Sequence, residues 1–293
     1  MSILQATISA PLSFHGPGLH TAKKNTITLL PAPVDSGIVF RRVDKKAAGT
    51  KITANWQSTK KMPLCTCIVA DNGHHVRTIE HLMAAFYACG IDNIVVEVDG
   101  DEIPIMDGSA LPFIEKIEGV GISQQDKPRS IFSVTEAVEF SEDDRSIRIE
   151  PADALYLDIT ITLVKFGCLY WSGKITPEIF KQEMSQARTF GRLKNGLLAK
   201  LTRFQKDPIC LGANTNTAVV LVGNKAINKD GLRMPDELIV HRALDLVGDL
   251  MLSGGHIHGK ITAKSPAHRL NRGLLKNIFE GGHYEGLSTK SSE

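Results

Sequence analysis

Long apolar runs are missing from this chain of 293 residues. No stretch approaches the roughly 18 continuous apolar residues of a membrane-spanning helix. Cysteines are few and irregular: Cys65, Cys67, Cys89, Cys168 and Cys210. An odd count without paired spacing excludes a disulfide framework, and no second thiol pair completes a zinc knuckle around Cys65 and Cys67. These thiols read as small core residues. Excess charge is also lacking, with 34 basic against 32 acidic residues and a net charge of +2. That leaves no footprint for nucleic acid. No HExxH stretch marks a standard zinc protease, and no GxGxxG loop marks a dinucleotide enzyme. The N-terminus, MSILQATISAPLSFHGPG, lacks the basic region and apolar run of a secretory signal. A reducing cytoplasm and no stable membrane insertion are expected. No amphipathic anchor demands a membrane. The tail GLSTKSSE is expected to fray.

What is present is 42% hydrophobic and 23% charged, the balance of a globular chain. Alternating segments predict strands in the first 30 residues, in SGIVFRRV, in IDNIVVEVDG and in a hairpin of LCTCIVA with HHVRTI. A second round runs through SIFSVTEAVEFSEDDRSIRIEPAD, YLDITITLVKF, TAVVLVG and HIHGKITAKS. Helices are predicted over TIEHLMAAFYACG, over the stretch after PIMDGS, over TPEIFKQEMSQARTF, over PDELIVHRALDLVGDLMLSGG and over PAHRLNRGLLKNIFEG. Irregular alternation argues against a doubly wound sheet. The expected fold class is α+β, with two similar domains, each a sheet packed with helices, and an active site at their junction. The polar stretch SQQDKPR separates them, giving residues 1–123, which carry Glu80 and His81, and residues 128–286, which carry His241, Asp245 and His268.

The chemistry gathers on two helices. His241, Asp245 and Asp249 are spaced by four and share one helical stripe. One such pair alone is commonly a surface hydrogen bond. Glu80 and His81 open the other helix, beside an apolar stripe of Ile79, Leu82, Met83 and Phe86, with Thr78 as a candidate cap. The helix dipole there is expected to keep His81 neutral, as a ligand must be. Combining the helices gives His81, His241 and Asp245, two nitrogens and a carboxylate with an open position, the set of a catalytic zinc. Iron also accepts this set. Glu80 is placed to take a proton from water. His268, at a loop-to-helix step, is a candidate acid, with Asp249 as its orienting carboxylate.

These residues and their surroundings resemble the UDP-3-O-acyl-N-acetylglucosamine deacetylase family, zinc amidases of lipid A biosynthesis. The similarity rests on GPGLHTAKK, LCTC, TIEHLMAAFYACGIDNIVVEVDGDEIPIMDGSALPF, ARTFG, CLG, NKDGLR, HRALDLVGDL and IHGKITAKSPAHRLNR. It implies that His81, His241 and Asp245 hold zinc, with Glu80 as general base, His268 as general acid and Asp249 in support. It implies that Thr189 steadies the oxyanion, while Phe190, Arg242 and Arg145 contact an acylated UDP-amino-sugar. It further implies one insert in each domain, one of them forming an apolar passage for the acyl chain. Several places depart from the family, CLGANTN in place of a glycine-glycine-serine form among them. Arg242 stands for the usual lysine, Arg192 follows ARTFG in place of an apolar residue, and VKFGCLYWSG replaces a histidine–proline pair. Two functions therefore stay open: the deacetylase itself, or a paralogous zinc deacetylase of another N-acetylated substrate. Oligomeric partners leave no mark in the sequence.

Overall fold

The computed structural model describes residues 3–286; all of the tail beyond Gly286 lies outside them. Among the described residues run six α-helices: α1 (Glu80–Cys89), α2 (Leu111–Val120), α3 (Pro177–Ile179), α4 (Leu193–Ala199), α5 (Glu237–Leu250) and α6 (His268–Gly281). A five-stranded sheet has the order Leu12–Pro17, Lys24–Pro31, Ile94–Val98, Ile38–Arg42 and Lys51–Thr53. A seven-stranded sheet is built around His256–Lys264, which pairs with Arg145–Glu150, Ile131–Val134 and Leu155–Leu163. The fold is therefore α+β, with helices packed on sheets.

α1 and α5 pack against each other, and this pairing brings the two sets of chemical residues together. The apolar stripe read for α1 understates its burial: all ten residues are buried. Such all-round burial suits a helix sandwiched between layers. In α5 only Arg242 escapes burial. The helices approach so closely that a Cβ on Gly248 would collide with the Glu80 carbonyl oxygen and stand 3.2 Å from the Ala84 nitrogen. Gly248→Ala is thus expected to push the helices apart and cost about 1–3 kcal/mol. Thermal unfolding checks this, and an unchanged melting temperature would contradict so tight a crossing.

Three local readings change. Thr78 does not cap α1: the N-cap is Ile79, without a side-chain cap bond. Thr78 instead takes a left-handed backbone (φ 59°), and its hydroxyl donates to Glu102 Oε1 at 3.1 Å. A β-branched residue there is strained, and buried Glu102 helps hold it. The helix expected over TPEIFKQEMSQARTF starts as read, with Thr176 Oγ1 accepting from the Ile179 amide, but passes into a π turn, Phe180–Met184, and stops. The following ARTF is drawn away from the helix by Glu237, which accepts from the Arg188 guanidinium at 2.7 and 3.0 Å, and by strand pairing from Phe190. Finally, the polar stretch SQQDKPR lies within strand Ile122–Pro128 up to its proline, paired antiparallel with Leu4–Ile8.

Candidate active site

His81 from α1 and His241 and Asp245 from α5 each offer a ligand atom, all within 4.8 Å of one another. His81 Nε2 is 3.4 Å and His241 Nε2 3.3 Å from the same oxygen, Asp245 Oδ1. Two donors on one tetrahedral zinc, each about 2.05 Å from it, stand about 3.3 Å apart. His241 Nδ1–H donates to the Ala187 carbonyl at 3.0 Å, which turns the Nε2 lone pair toward Asp245. Among the described residues Asp245 Oδ1 is buried without a hydrogen-bond partner. An orphaned carboxylate oxygen between two imidazole nitrogens fits a cation, since a buried charge without a partner is costly.

The electrostatics agree. Burial pushes the His241 imidazole down to about 4, so it is neutral. Asp245 lies well below the usual carboxylate range, because the histidines outweigh its burial. His81 departs from expectation. Burial disfavours its charge, but the nearby Asp245 carboxylate, with Glu80, outweighs that and raises it. The helix dipole therefore does not decide its state; the pocket's carboxylates call for a positive charge among them.

Beside this group sit Glu80, His268 and Asp249. Glu80 is buried, and desolvation pushes its carboxyl up to about 7. Its Oε2 accepts the Thr66 amide at 3.1 Å, and its Oε1 lies 3.7 Å from His268 Nε2. His268 Nδ1 donates to Asp249 Oδ2 at 2.8 Å. Burial opposes charge on His268, but Asp249 and Glu80 overcome it and raise the imidazole to about 10. Asp249 is itself held by Asn271 Nδ2 at 2.8 Å and by the Thr66 hydroxyl. Thr66 thus touches both carboxylates, one through its amide and one through its side chain. Neither Thr66 nor Asn271 stood out in the sequence. Asn271 follows His268 by three on α6, a spacing that brings both to one face.

The remaining expected residues divide in two. Arg145 and Arg242 line a cavity of about 450 Å³ together with His268, Asp249 and Thr66. Lys60, Lys61 and Arg272 line it too, and of these only the KK pair ahead of LCTC hints at it in the sequence. Phe190 is not on that cavity. Its ring stands 6.3 Å from the His241 ring, and the Arg242 guanidinium lies over it at 4.9 Å. Thr189 is half-buried, with its amide donating to the Gly108 carbonyl at 2.7 Å. That places its backbone two residues from the carbonyl that orients His241.

Comparison with known proteins gives the family of the chain. Residues 5–280 match the profile of the LpxC family, described as UDP-3-O-acyl N-acetylglycosamine deacetylase. A UDP-3-O-acyl-N-acetylglucosamine deacetylase of Pseudoalteromonas translucida (strain TAC 125) is 38% identical over 94% of this chain and 91% of its own length. Proteins of the same name from Hamiltonella defensa subsp. Acyrthosiphon pisum (strain 5AT) and Actinobacillus pleuropneumoniae serotype 3 (strain JL03) are 36% and 38% identical. They are covered over 90% of their lengths, against 95% and 94% of this chain.

Proposed function

Because the chain belongs to the UDP-3-O-acyl N-acetylglycosamine deacetylase family, we propose that it removes the N-acetyl group from UDP-3-O-acyl-N-acetylglucosamine, releasing acetate and a free amine. This is the committed step of lipid A biosynthesis. The name carried by its relatives gives no support to the paralogue alternative. The observation that carries the chemistry is the convergence of His81, His241 and Asp245 beside the Glu80–His268 pair. Zinc held by those three would supply a Lewis acid and bring the pKa of water toward roughly 7.

The chain's own groups do the rest. Glu80, as carboxylate, accepts a proton from the attacking water. The water oxygen bonds to the acetyl carbon, and charge grows on the carbonyl oxygen. The Thr189 hydroxyl is assigned to donate to that oxygen, where a preorganised donor is most effective. His268 then passes the proton on Nε2 to the departing nitrogen as the C–N bond breaks. Asp249 keeps the imidazolium charged and turned, and Thr66 and Asn271 keep Asp249 in place. Lys60, Lys61, Arg145, Arg242 and Arg272 give the cavity a positive lining suited to a diphosphate. Phe190, under Arg242, is assigned to the sugar end of the substrate.

The base must be deprotonated and the acid protonated, so kcat/KM should be bell-shaped, with an acidic limb set by Glu80 and an alkaline limb set by His268, whose imidazole Asp249 and Glu80 hold above its ordinary value. Asp249→Asn removes the main support of the His268 charge and leaves burial, which acts the other way. The alkaline limb should therefore move to lower pH, with less effect on the acidic limb. A pH–rate profile of both proteins decides this; an unmoved alkaline limb would contradict the pairing.

The ligand set also suits iron, and zinc is the metal assigned here. Metal analysis of the purified protein, followed by stripping and reloading with zinc or ferrous iron while acetate release is followed, tests the assignment. Restoration by zinc is expected. Acetate release unaffected by stripping would contradict a metal enzyme.

A further inference from the structure

Two buried charges take no part in the chemistry above: Arg188, 8% exposed, and Glu237, 0% exposed. Arg188 stands between Ala187 and Thr189, and Glu237 opens α5. Glu237 Oε1 accepts from Arg188 Nε at 2.7 Å and from the Arg188 amide at 3.1 Å. Its Oε2 accepts from Arg188 Nη2 at 3.0 Å and from the Arg233 amide at 2.7 Å. Arg188 Nη2 also donates to the Gly231 carbonyl at 2.9 Å. A guanidinium held on two prongs has a fixed direction, which a point charge would lack. Burying both charges is costly, and an apolar pair of similar volume often stabilises a fold as well or better. Stability alone therefore does not account for the pair.

The residues flanking Arg188 do account for it. On one side, the Ala187 carbonyl accepts from His241 Nδ1 at 3.0 Å and so sets which ring nitrogen faces Asp245. On the other side, Thr189 carries the hydroxyl assigned to the oxyanion. The Thr189 amide donates to the Gly108 carbonyl, and its carbonyl accepts from the Val219 amide, both at 2.7 Å. His241 follows Glu237 by four on α5, so the carboxylate and the metal ligand share one face. The pair thus ties the segment from Ala187 to Thr189 to the helix that carries His241 and Asp245. Arg233 braces the start of that segment. Its Nη1 donates to the Gln186 carbonyl at 3.0 Å, and its Nη2 lies 2.8 Å from Asp107 Oδ2. Asp107 directly precedes Gly108, the residue that holds the Thr189 amide.

We propose that Arg188 and Glu237, braced by Arg233, are positioning residues: one buried ion pair holds the His241 imidazole and the Thr189 hydroxyl in register with each other. They act through Ala187 and Thr189, not on the reacting atoms. Loosening the pair lets the segment shift, and two properties change together. The Ala187 carbonyl leaves His241 Nδ1, which weakens metal binding. The Thr189 hydroxyl leaves its place, which lowers kcat. The Thr189 half rests on the deacetylase reading; the His241 half rests on the hydrogen bond to Ala187 and on the metal position.

Arg188→Lys, Glu237→Gln and Arg233→Met in the full-length protein test this. Zinc affinity comes first, measured on stripped protein by competition with a chelator, and it needs no turnover. Arg188→Lys and Glu237→Gln should bind zinc about 10- to 100-fold more weakly, the usual loss when an outer partner of a ligand is disturbed. At saturating zinc their kcat should fall by about 10²-fold with KM changed far less. In a Thr189→Ala background, Arg188→Lys should lower kcat by much less, because the hydroxyl it positions is already gone. Arg233→Met alters a partly exposed side chain and leaves the pair whole. It should move both readouts the same way by a smaller factor, and it decides the matter if the other two variants do not fold. Unchanged zinc affinity in the folded variants would overturn the proposal. So would a lower melting temperature of the stripped protein with normal zinc affinity and kcat, the mark of an ion pair that only stabilises. No deacetylation by the wild-type protein would overturn the deacetylase reading instead, and the zinc affinities would still decide the role of the pair.

Discussion

Glu80→Gln keeps its metal and loses about 10²- to 10⁴-fold in kcat, the usual contribution of general acid–base catalysis. The amide keeps the shape of the side chain and can still accept the Thr66 amide proton. It cannot take a proton from water. Because Glu80 is not one of the three residues grouped around the metal position, metal content should remain at one per chain. KM should change far less than kcat, since the missing interaction belongs to the transition state. His268→Ala should behave similarly in kcat while retaining metal. The double variant should fall by much less than the product of the two losses, because both residues serve one proton path across 3.7 Å. Steady-state kinetics with metal analysis on the same preparations measures all of this. Loss of metal in Glu80→Gln would move that residue from proton transfer into the ligand set.

Asp245→Ala should instead lose metal and turnover together. Asp245 Oδ1 is the oxygen that both Nε2 atoms approach. Changing an outer partner of a metal ligand typically costs 10- to 100-fold in affinity or activity, so loss of the ligand itself should exceed about 100-fold. A readout independent of activity is thermal stability. A cation at 100 times its dissociation constant stabilises the folded chain by about 2.7 kcal/mol. Wild-type protein should therefore melt higher when zinc is added after stripping, and Asp245→Ala should not respond. A normal zinc response in the variant would contradict the assignment.

The parts of the site that the sequence disclosed are those governed by local periodicity. HRALD places a histidine and a carboxylate one turn apart wherever the helix packs, and TIEH places Glu80 and His81 at a helix start. Strand His256–Lys264 and helix α6 were equally plain, because alternation and a loop-to-helix step mark them. The cooperation of Thr66 with Asp249 was not visible. These residues are far apart in sequence and meet only because α1 and α5 cross at Gly248. Cavity cations such as Lys60 and Arg272 look like ordinary surface charge until the fold gathers them. The strand Ile122–Pro128 reads as a polar connector because most of its side chains are exposed, and its pairing is carried by backbone groups that composition does not report. The early end of the helix after Thr176 has a similar cause: the Arg188–Glu237 pair, formed with a distant element, outweighs helical propensity.

The most direct test is mass spectrometry of UDP-3-O-acyl-N-acetylglucosamine species of several acyl lengths after incubation with zinc-loaded protein, with Asp245→Ala as the control. The account predicts conversion to the free amine with equimolar acetate by the wild-type protein and almost none by the variant. The acyl-length profile would report the effect of Gly167–Trp171. Intact substrate at every length, with one zinc bound per chain, would contradict the proposed substrate; equal conversion by Asp245→Ala would contradict the metal site.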